Sequence, residues 1–440
     1  MRISLPWGLS WKAIGRAIIC VCLAYIMIRP VGFNSILIPV IGVLAITSGL
    51  LAWSVRGRFS KTVLLVLALT LITGLYGTVI GIGNPGLFNG MLVWIIAPII
   101  YGLLVLAGDE RLVQLILRVS VYVTIVVSAG IILYVAGAVG FTPQLIPHFV
   151  QQQVGAGFDS DAGGTTNITF YGLSTLVAAA PLWLTAAILP HSPLLPHKAL
   201  SVIAAVFAAG ATLLAGRAAI TILLISVPLV TWIIWRIVTR RERRSLWRAW
   251  APLVAAVAAV AAVVLLDLAG NTSIQRSIDR VITVFSGQGQ SLDDRIRSIE
   301  AVKLLGAWTN SPIFGHGLGA TIPGYSRNHE RPWNFELQYH LILFQTGLIG
   351  ALLMVAALGI AVYGLTRVIR RRPDLLPVLL VTASGAAALL IANSINPYLQ
   401  APGNMWPVYL ALMAINVGLV RKYEQTHSDV EVVGSHEQSD

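Results

Sequence analysis

Long apolar runs are the feature that most constrains this chain. Stretches of about 17 to 25 mainly apolar residues recur along nearly its whole length, and each can cross a roughly 30 Å hydrocarbon core as one helix. We therefore predict an all-α integral membrane protein in which residues 1–440 form a single polytopic domain. About twelve transmembrane helices are expected, near 13–29, 34–53, 62–81, 88–107, 112–138, 168–190, 198–215, 218–238, 249–269, 337–366, 375–395 and 403–420.

Composition agrees with a bilayer environment. Hydrophobic residues make up 56% of the chain, charged residues only 11%, and the mean hydropathy is +0.80, whereas soluble domains carry roughly 25% charged residues. The first span carries Arg16 and is followed at once by further spans, which argues against a cleaved signal peptide. Cys20 and Cys22, the two cysteines, both lie in this span and indicate neither a disulfide framework nor a metal site.

The distribution of basic residues predicts the orientation. The net charge is +12, but most of the Lys and Arg fall in segments that share one side of the membrane if the N-terminus is cytoplasmic. The positive-inside rule then places both termini in the cytoplasm. The charge is explained by topology and membrane lipids, and no nucleic-acid partner is expected. The polar tail, residues 423–440, is expected to be disordered there.

One extracytoplasmic segment breaks that rule. Residues 270–336 form the large outer loop, and seven basic residues lie in it. Asp293 or Ser291 can cap a helix over about 293–308, which has apolar positions at Ile296, Ile299, Val302, Leu305 and Trp308. Arg295 falls near the N-terminal end of this helix, where backbone amides favour an anion. A phosphate group would suit this position.

Two further patterns follow along the chain. Glycines alternate in the segment 310–320, NSPIFGHGLGA, which is either a turn that lets the backbone approach a ligand or a flexible bend. No Gly-Lys-Ser/Thr follows, so it is not an ATP-binding loop. Glu336 and His340 are one turn apart at the start of span ten, where either could act as a general base or simply bond to a neighbouring helix.

Other outer features leave two interpretations open. Residues 139–167 lack lysine and arginine and form either a lip over an acceptor site or a solvated connector. Several aromatic residues near the loop could stack on sugar rings or belong to an interfacial belt: Tyr325, Trp333, Phe335, Tyr339, Tyr398 and Trp406.

Taken in order, four features resemble a known family. They are the Gly216-Arg217-Ala218 turn, Arg295 at the head of a loop helix, the NSPIFGHGLGA segment, and a polar helix start running into LFQTGLIG. This order resembles the O-antigen ligases and polymerases, bacterial membrane glycosyltransferases that use polyprenyl-diphosphate-linked glycans. The resemblance covers about residues 165–400. It implies that Arg217 and Arg295 hold the pyrophosphate, with Arg297, His316 and His329 as secondary candidates.

The sequence departs from the family at one position. When Gln345-Thr346-Gly347 is aligned to the family's turn, Glu336 stands where ligases usually have a histidine, and His340 comes one turn later. Either Glu336 or His340 could therefore be the base. The departure favours a polysaccharide polymerase slightly over an O-antigen ligase.

The expected reaction follows from these residue types. Two guanidinium groups would offset the charge that builds on the departing pyrophosphate, while a base takes the proton from the acceptor hydroxyl, giving inversion. Guanidinium groups can offset this charge without a metal, so neither a metal nor another cofactor is expected. The resemblance implies transfer from undecaprenyl diphosphate to a glycan or lipid-core hydroxyl at the outer face of the bacterial cytoplasmic membrane. A transporter or flippase of lipid-linked saccharides or other anions is the alternative.

Overall fold

The computed structural model describes residues 10–31, 36–160, 166–215, 218–239 and 292–420. Helices dominate these ranges, together with one short hairpin. The elements are α1 Trp11–Ile28, α2 Leu37–Ser54, α3 Lys61–Ile80, α4 Leu87–Leu106, α5 Glu110–Ala138, α6 His148–Val154, β1 Gly157–Ser160, β2 Thr166–Thr169, α7 Leu173–Ile188, α8 Lys198–Leu214, α9 Ala218–Val238, α10 Leu292–Trp308, α11 Gln338–Arg371, α12 Leu376–Ala392 and α13 Trp406–Val420.

Most of these helices are suited to a bilayer. Among the described residues, eight helices are long and apolar enough to cross a membrane, and α7, α8 and α13 are shorter apolar helices. Together they match the predicted spans except the ninth, at 249–269, which lies outside the described residues. The chain is therefore helical and of multi-pass membrane character.

Polar side chains at helix ends explain where several helices begin. Ser10 accepts a hydrogen bond from the amide of Ala13 at the start of α1, and Ser60 does the same for Val63 in α3. Asp109 accepts from the amide of Leu112 at 2.7 Å at the start of α5. These caps satisfy backbone donors that have no partner inside the helix.

Helix α7 is the centre of the bundle. It packs against α8, α9 and α12, and nearly all of its side chains are buried. Trp183 is fully buried and donates a hydrogen bond through Nε1 to Thr124 Oγ1 of α5 at 3.0 Å. A second packing unit joins α3 to α11. Because α10 also packs on α11, this unit supports the outer loop.

Helix α11 is broken near its start. Gly347 has φ +59° and ψ −164°, which interrupts the helical hydrogen bonding. The carbonyl groups of Phe344 and Gln345 instead accept hydrogen bonds from the amides of His316, at 3.0 Å, and Gly317, at 2.8 Å. The glycine segment 310–320 thus lies directly against the break.

The same segment also attaches to α3 and to the turn between α3 and α4. The amide of Leu318 donates to the carbonyl of Gly77 at 2.8 Å, and the Asn84 side chain donates to the carbonyls of His316 and Leu318. The segment is therefore fixed between helices, and its expected role as a flexible bend is wrong. Its glycines allow close approach to a helix backbone.

Two local elements differ from the sequence expectations. The predicted span six starts at Leu173 rather than at 168, because Thr166–Thr169 pairs with Gly157–Ser160 as an antiparallel hairpin. The expected connector over 139–167 thus contains strand structure, and the fold is not purely helical. Hydrogen bonding between the two strands accounts for the difference.

The loop helix α10 has nearly the predicted bounds but a different buried face. Ile299 and Val302, two of its predicted apolar positions, are 50% and 70% exposed, whereas Glu300 and Leu304 are fully buried. The carboxylate of Glu300 pairs with Arg327 and accepts a hydrogen bond from the Leu337 amide, so a polar contact orients the helix in addition to packing. The proposed caps Asp293 and Ser291 lie outside the described side chains.

Candidate active site

Two arginines and two glutamates form a cluster where the outer loop meets the start of α11. Arg297 Nε lies 3.1 Å from Glu336 Oε2, and Arg327 Nη2 lies 2.7 Å from Glu336 Oε1. Arg327 Nη1 also reaches Glu300 Oε2 at 3.5 Å. The cluster joins three segments that are distant in sequence: α10, the loop at Arg327 and the entry to α11.

Glu300 is the buried centre of this cluster. Its side chain has no exposed surface, and its Oε1 accepts a hydrogen bond from the backbone amide of Leu337 at 2.8 Å. A buried carboxylate is costly unless it is hydrogen-bonded and paired. Glu300 therefore fixes the backbone next to Glu336 and holds Arg327 in place.

The hydroxyl group of Tyr325 faces the same charges. Burial raises the pKa of this phenol, Glu300 and Glu336 raise it further, and Arg327 opposes them. Its hydroxyl oxygen is buried and has no hydrogen-bond partner in the described part of the chain. The ring stacks on Phe335, with centroids 6.3 Å apart. Tyr325 is thus a protonated phenol beside an ionic cluster.

Glu336 does not lie on the helix, contrary to the sequence expectation. Helix α11 starts at Gln338, so Glu336 is in the bend before it rather than one turn from His340 on a common helical face. Each carboxylate oxygen of Glu336 is engaged by a different arginine. For Glu336 to accept a proton, one of these ion pairs would have to open.

Polar atoms without partners are concentrated in the first turn of α11. His340 Nδ1 is buried and forms no hydrogen bond with the described residues, and both amide atoms of the Gln338 side chain, which is 1% exposed, are in the same state. Tyr339 between them is partly exposed, with its hydroxyl donating to the carbonyl of Leu390. Buried polar groups normally have partners, so these three atoms leave hydrogen-bonding capacity unused in this turn.

Arg295 lies away from the ionic cluster. It is exposed on α10, and residues two apart on a helix point roughly 200° apart, so Arg295 and Arg297 face different sides. Lys303 and Arg331 are also exposed. None of these three has an ion-pair partner within the described ranges, so their charges are open to solvent or to an anion.

The two histidine candidates of the loop differ in environment. His316 Nε2 is 2.8 Å from the carbonyl of Ala307, and its ring stacks on Phe344 at 4.8 Å between centroids. His329 is exposed. His316 therefore holds the loop together, whereas His329 is a surface residue.

The glycine segment has few backbone donors left for a ligand. Gly315 donates its amide to the carbonyl of Ser311 at 2.8 Å, and the next three amides donate to carbonyls of α11 and α3. The four consecutive amides from Gly315 to Leu318 therefore donate within the protein rather than to a ligand.

Two of the aromatic candidates for sugar stacking are buried. Phe335 is fully buried and packs edge-on against Phe344, and Trp406 is 2% exposed. Their faces cannot meet a sugar. Tyr339, at 43% exposed, keeps an accessible surface beside the first turn of α11.

Some predicted positions fall outside the described residues. These are Arg217, span nine at 249–269, loop residues 270–291 and the tail 423–440. Arg217 falls between α8, which ends at Leu214, and α9, which begins at Ala218.

Sequence reasoning missed Glu300 and Arg327 as members of the cluster. Glu300 stood out only as an acid among apolar helix positions, and Arg327 only as one of several loop arginines. Long-range pairing of this kind has no local sequence signature.

Comparison with known proteins assigns the chain to no family. Within the described ranges, no three His, Cys, Asp or Glu side chains come together as a metal site would require. No protein-family model matches the sequence, and no curated protein matches it significantly.

Proposed function

We propose that this protein is a membrane glycosyltransferase that moves a glycan from undecaprenyl diphosphate to a sugar hydroxyl at the outer face of the bacterial cytoplasmic membrane. In this proposal about twelve spans surround the donor's isoprenoid tail, and both termini are cytoplasmic. The observation that carries it is the start of α11, where His340, whose buried Nδ1 has no hydrogen-bond partner among the described residues, comes four residues after Glu336 of the guanidinium–carboxylate cluster.

Arginines inside and outside the ionic cluster are assigned different roles. Arg297 and Arg327 are matched by Glu300 and Glu336, so these four side chains form a nearly neutral unit that supports the loop. The cations left over are the exposed ones, above all Arg295. In this assignment Arg295, with Arg217, binds the pyrophosphate. Arg295 has no ion-pair partner among the described residues, and a guanidinium group can form paired hydrogen bonds with phosphate oxygens.

The same reasoning favours His340 over Glu336 as the base. Both oxygens of Glu336 are engaged by arginines, and a proton on this carboxylate would weaken two ion pairs. Within the described part of the chain, His340 Nδ1 has no such competing partner. Glu336 is thus assigned a positioning role, in which it orders the loop arginines beside the first turn of α11.

The reaction would proceed in one displacement. His340 takes the proton of the acceptor hydroxyl as its oxygen attacks the anomeric carbon, and the carbon–oxygen bond to the pyrophosphate breaks from the opposite face. The electron pair leaves with the diphosphate, where guanidinium groups stabilise the added negative charge. The product linkage is inverted, and undecaprenyl diphosphate is released.

The test uses purified protein in liposomes with an undecaprenyl-diphosphate-linked oligosaccharide. We expect His340→Ala to lower the transfer rate by about 100-fold or more, the usual size of a general-base contribution. His329→Ala, an exposed histidine of the same loop, should retain the wild-type rate. Released undecaprenyl diphosphate and product length are the readouts. Equal rates for the two variants would rule out the base assignment.

Replacement of Arg295 tests the donor site. Arg295→Gln should raise the donor concentration needed for half-maximal rate by about tenfold, since one charged contact to the diphosphate is lost. Arg331→Gln removes a second exposed arginine of the loop and is the matched control. Movement of the lipid-linked saccharide across the membrane without bond cleavage would instead support a transporter and remove the enzyme proposal.

The acceptor can be identified in cells. After deletion of the gene, surface glycans reduced to single repeats would indicate a polymerase, which the sequence slightly favours. Accumulation of full-length polymer on the lipid carrier would indicate a ligase. Unchanged surface and lipid-linked glycans would contradict both.

A further inference from the structure

A large basic cavity lies at the opposite end of the bundle from the candidate active site. It has a volume of about 830 Å³ and lies where α2 and α4 end, α5 begins and α13 ends. The positive-inside rule predicts that this end is cytoplasmic. Five arginines line the cavity with only two carboxylates, and its apolar wall includes Leu115 and Val417; the arginines are Arg16, Arg56, Arg58, Arg111 and Arg118.

Both carboxylates of the cavity are already engaged. Asp109 pairs with Arg16 and also caps α5. Glu110 pairs with Arg372 at 3.4 Å, and Arg372 does not line the cavity.

Four arginines therefore have no acidic partner among the residues that the structure describes: Arg56, Arg58, Arg111 and Arg118. The last two are seven residues apart on α5 and so share one face of it. A surplus of guanidinium groups around one cavity favours a multiply charged anion.

Arg56 occupies a backbone position that normally belongs to glycine. It has φ +51°, the left-handed region, at the end of α2. Its amide donates to the carbonyl of Trp53 at 3.1 Å and that of Gly57 to Ala52 at 2.8 Å, which is the Schellman ending of a helix. An L-residue other than glycine there costs about 1 kcal/mol. The guanidinium of Arg56 therefore lies at the cavity wall even though glycine would adopt this backbone conformation without strain.

We propose that this cavity binds the phosphate group of an anionic ligand, either a phospholipid headgroup or a free phosphate compound. The apolar wall beside Leu115 and Val417 could lie along an acyl chain, and the open side admits a soluble anion. The cavity is distinct from the candidate active site, since it lies at the other end of the bundle. It does not depend on that reaction.

The test uses the full-length protein in phosphatidylcholine nanodiscs. One arm adds inorganic pyrophosphate and measures binding by calorimetry, and the other includes phosphatidylglycerol and measures retained lipid by native mass spectrometry. The double variant Arg56→Gly, Arg118→Gln should weaken binding by about tenfold or more in at least one arm. Because glycine suits the backbone at position 56, this variant should fold with at least normal stability.

The control removes the same charge elsewhere. Arg370 and Arg371 are exposed at the same end of the bundle but do not line the cavity, and Arg370→Gln, Arg371→Gln should bind like the wild type. Weakening in the pyrophosphate arm alone identifies a soluble phosphate ligand, and weakening in the lipid arm alone identifies a headgroup. Equal weakening in both double variants, or no binding in either arm, would overturn the proposal.

Discussion

At the scale of single residues, the candidate site depends on a buried carboxylate. Glu300 is completely buried and relies on Arg327 and on the amide of Leu337 for its charge to be tolerated. Arg327 in turn spans Glu300 and Glu336. This arginine therefore contributes more to the loop than an exposed ion pair would.

Removal of Arg327 tests this dependence. Arg327→Ala should lower the free energy of unfolding by about 2 kcal/mol, because it leaves a buried charge without a counterion. Thermal unfolding of the purified protein in detergent gives the measurement. Arg331→Ala, in the same loop but exposed, should change the stability by less than about 0.5 kcal/mol. Similar effects of both replacements would contradict the role of Arg327.

At the scale of secondary-structure elements, the break in α11 and the glycine segment form one unit. The break leaves carbonyl groups without helical partners. These carbonyl groups accept hydrogen bonds from the amides of residues 316 and 317. A Cβ atom on Gly347 would lie 2.3 Å from the carbonyl oxygen of Ile313, so the contact requires glycine for space as well as for conformation. The position of the first turn of α11, with His340, follows from this contact.

Two glycine replacements compare the break in α11 with a position inside α10. Gly347→Ala should destabilise the protein by about 3 kcal/mol or more, because a backbone clash is added to a left-handed conformation. Gly306→Ala, inside α10 with open space around it, should be neutral or stabilise by up to about 1 kcal/mol. Thermal unfolding distinguishes them, and a tolerated Gly347→Ala would show that the break is not required.

At the scale of the whole molecule, α11 separates two chemically different ends. The part of the helix after the break at Gly347 ends at Arg371 and by itself extends roughly 35 Å. The glutamate–arginine cluster lies at its start, and basic residues lie at its end. The proposed transfer site and the proposed phosphate cavity therefore lie at opposite ends of the helix bundle.

Cysteine labelling tests this arrangement. Cys20 and Cys22 are 8% and 6% exposed, so they should react little with a bulky thiol reagent. In intact cells, Glu330→Cys should react with a membrane-impermeant maleimide, whereas Arg370→Cys should react only after the membrane is opened. The predicted orientation places the first position outside and the second inside. Labelling of both positions in intact cells would contradict it.

The helical, multi-pass character of the protein and the approximate positions of its apolar helices follow from the local sequence. Apolar length and helix caps are local properties, and a bilayer leaves the backbone almost no alternative to helices. The helix over about 293–308 was predicted for the same reason and matches Leu292–Trp308.

Only the tertiary structure decided which polar groups meet. Glu300, Arg327 and Glu336 come from separate segments, and no local pattern specifies their pairing. It also decided that the glycine segment meets a broken helix rather than a ligand, since the partners of its amides lie in α3 and α11. Such contacts depend on distant backbone groups whose partners are set only when the helices pack.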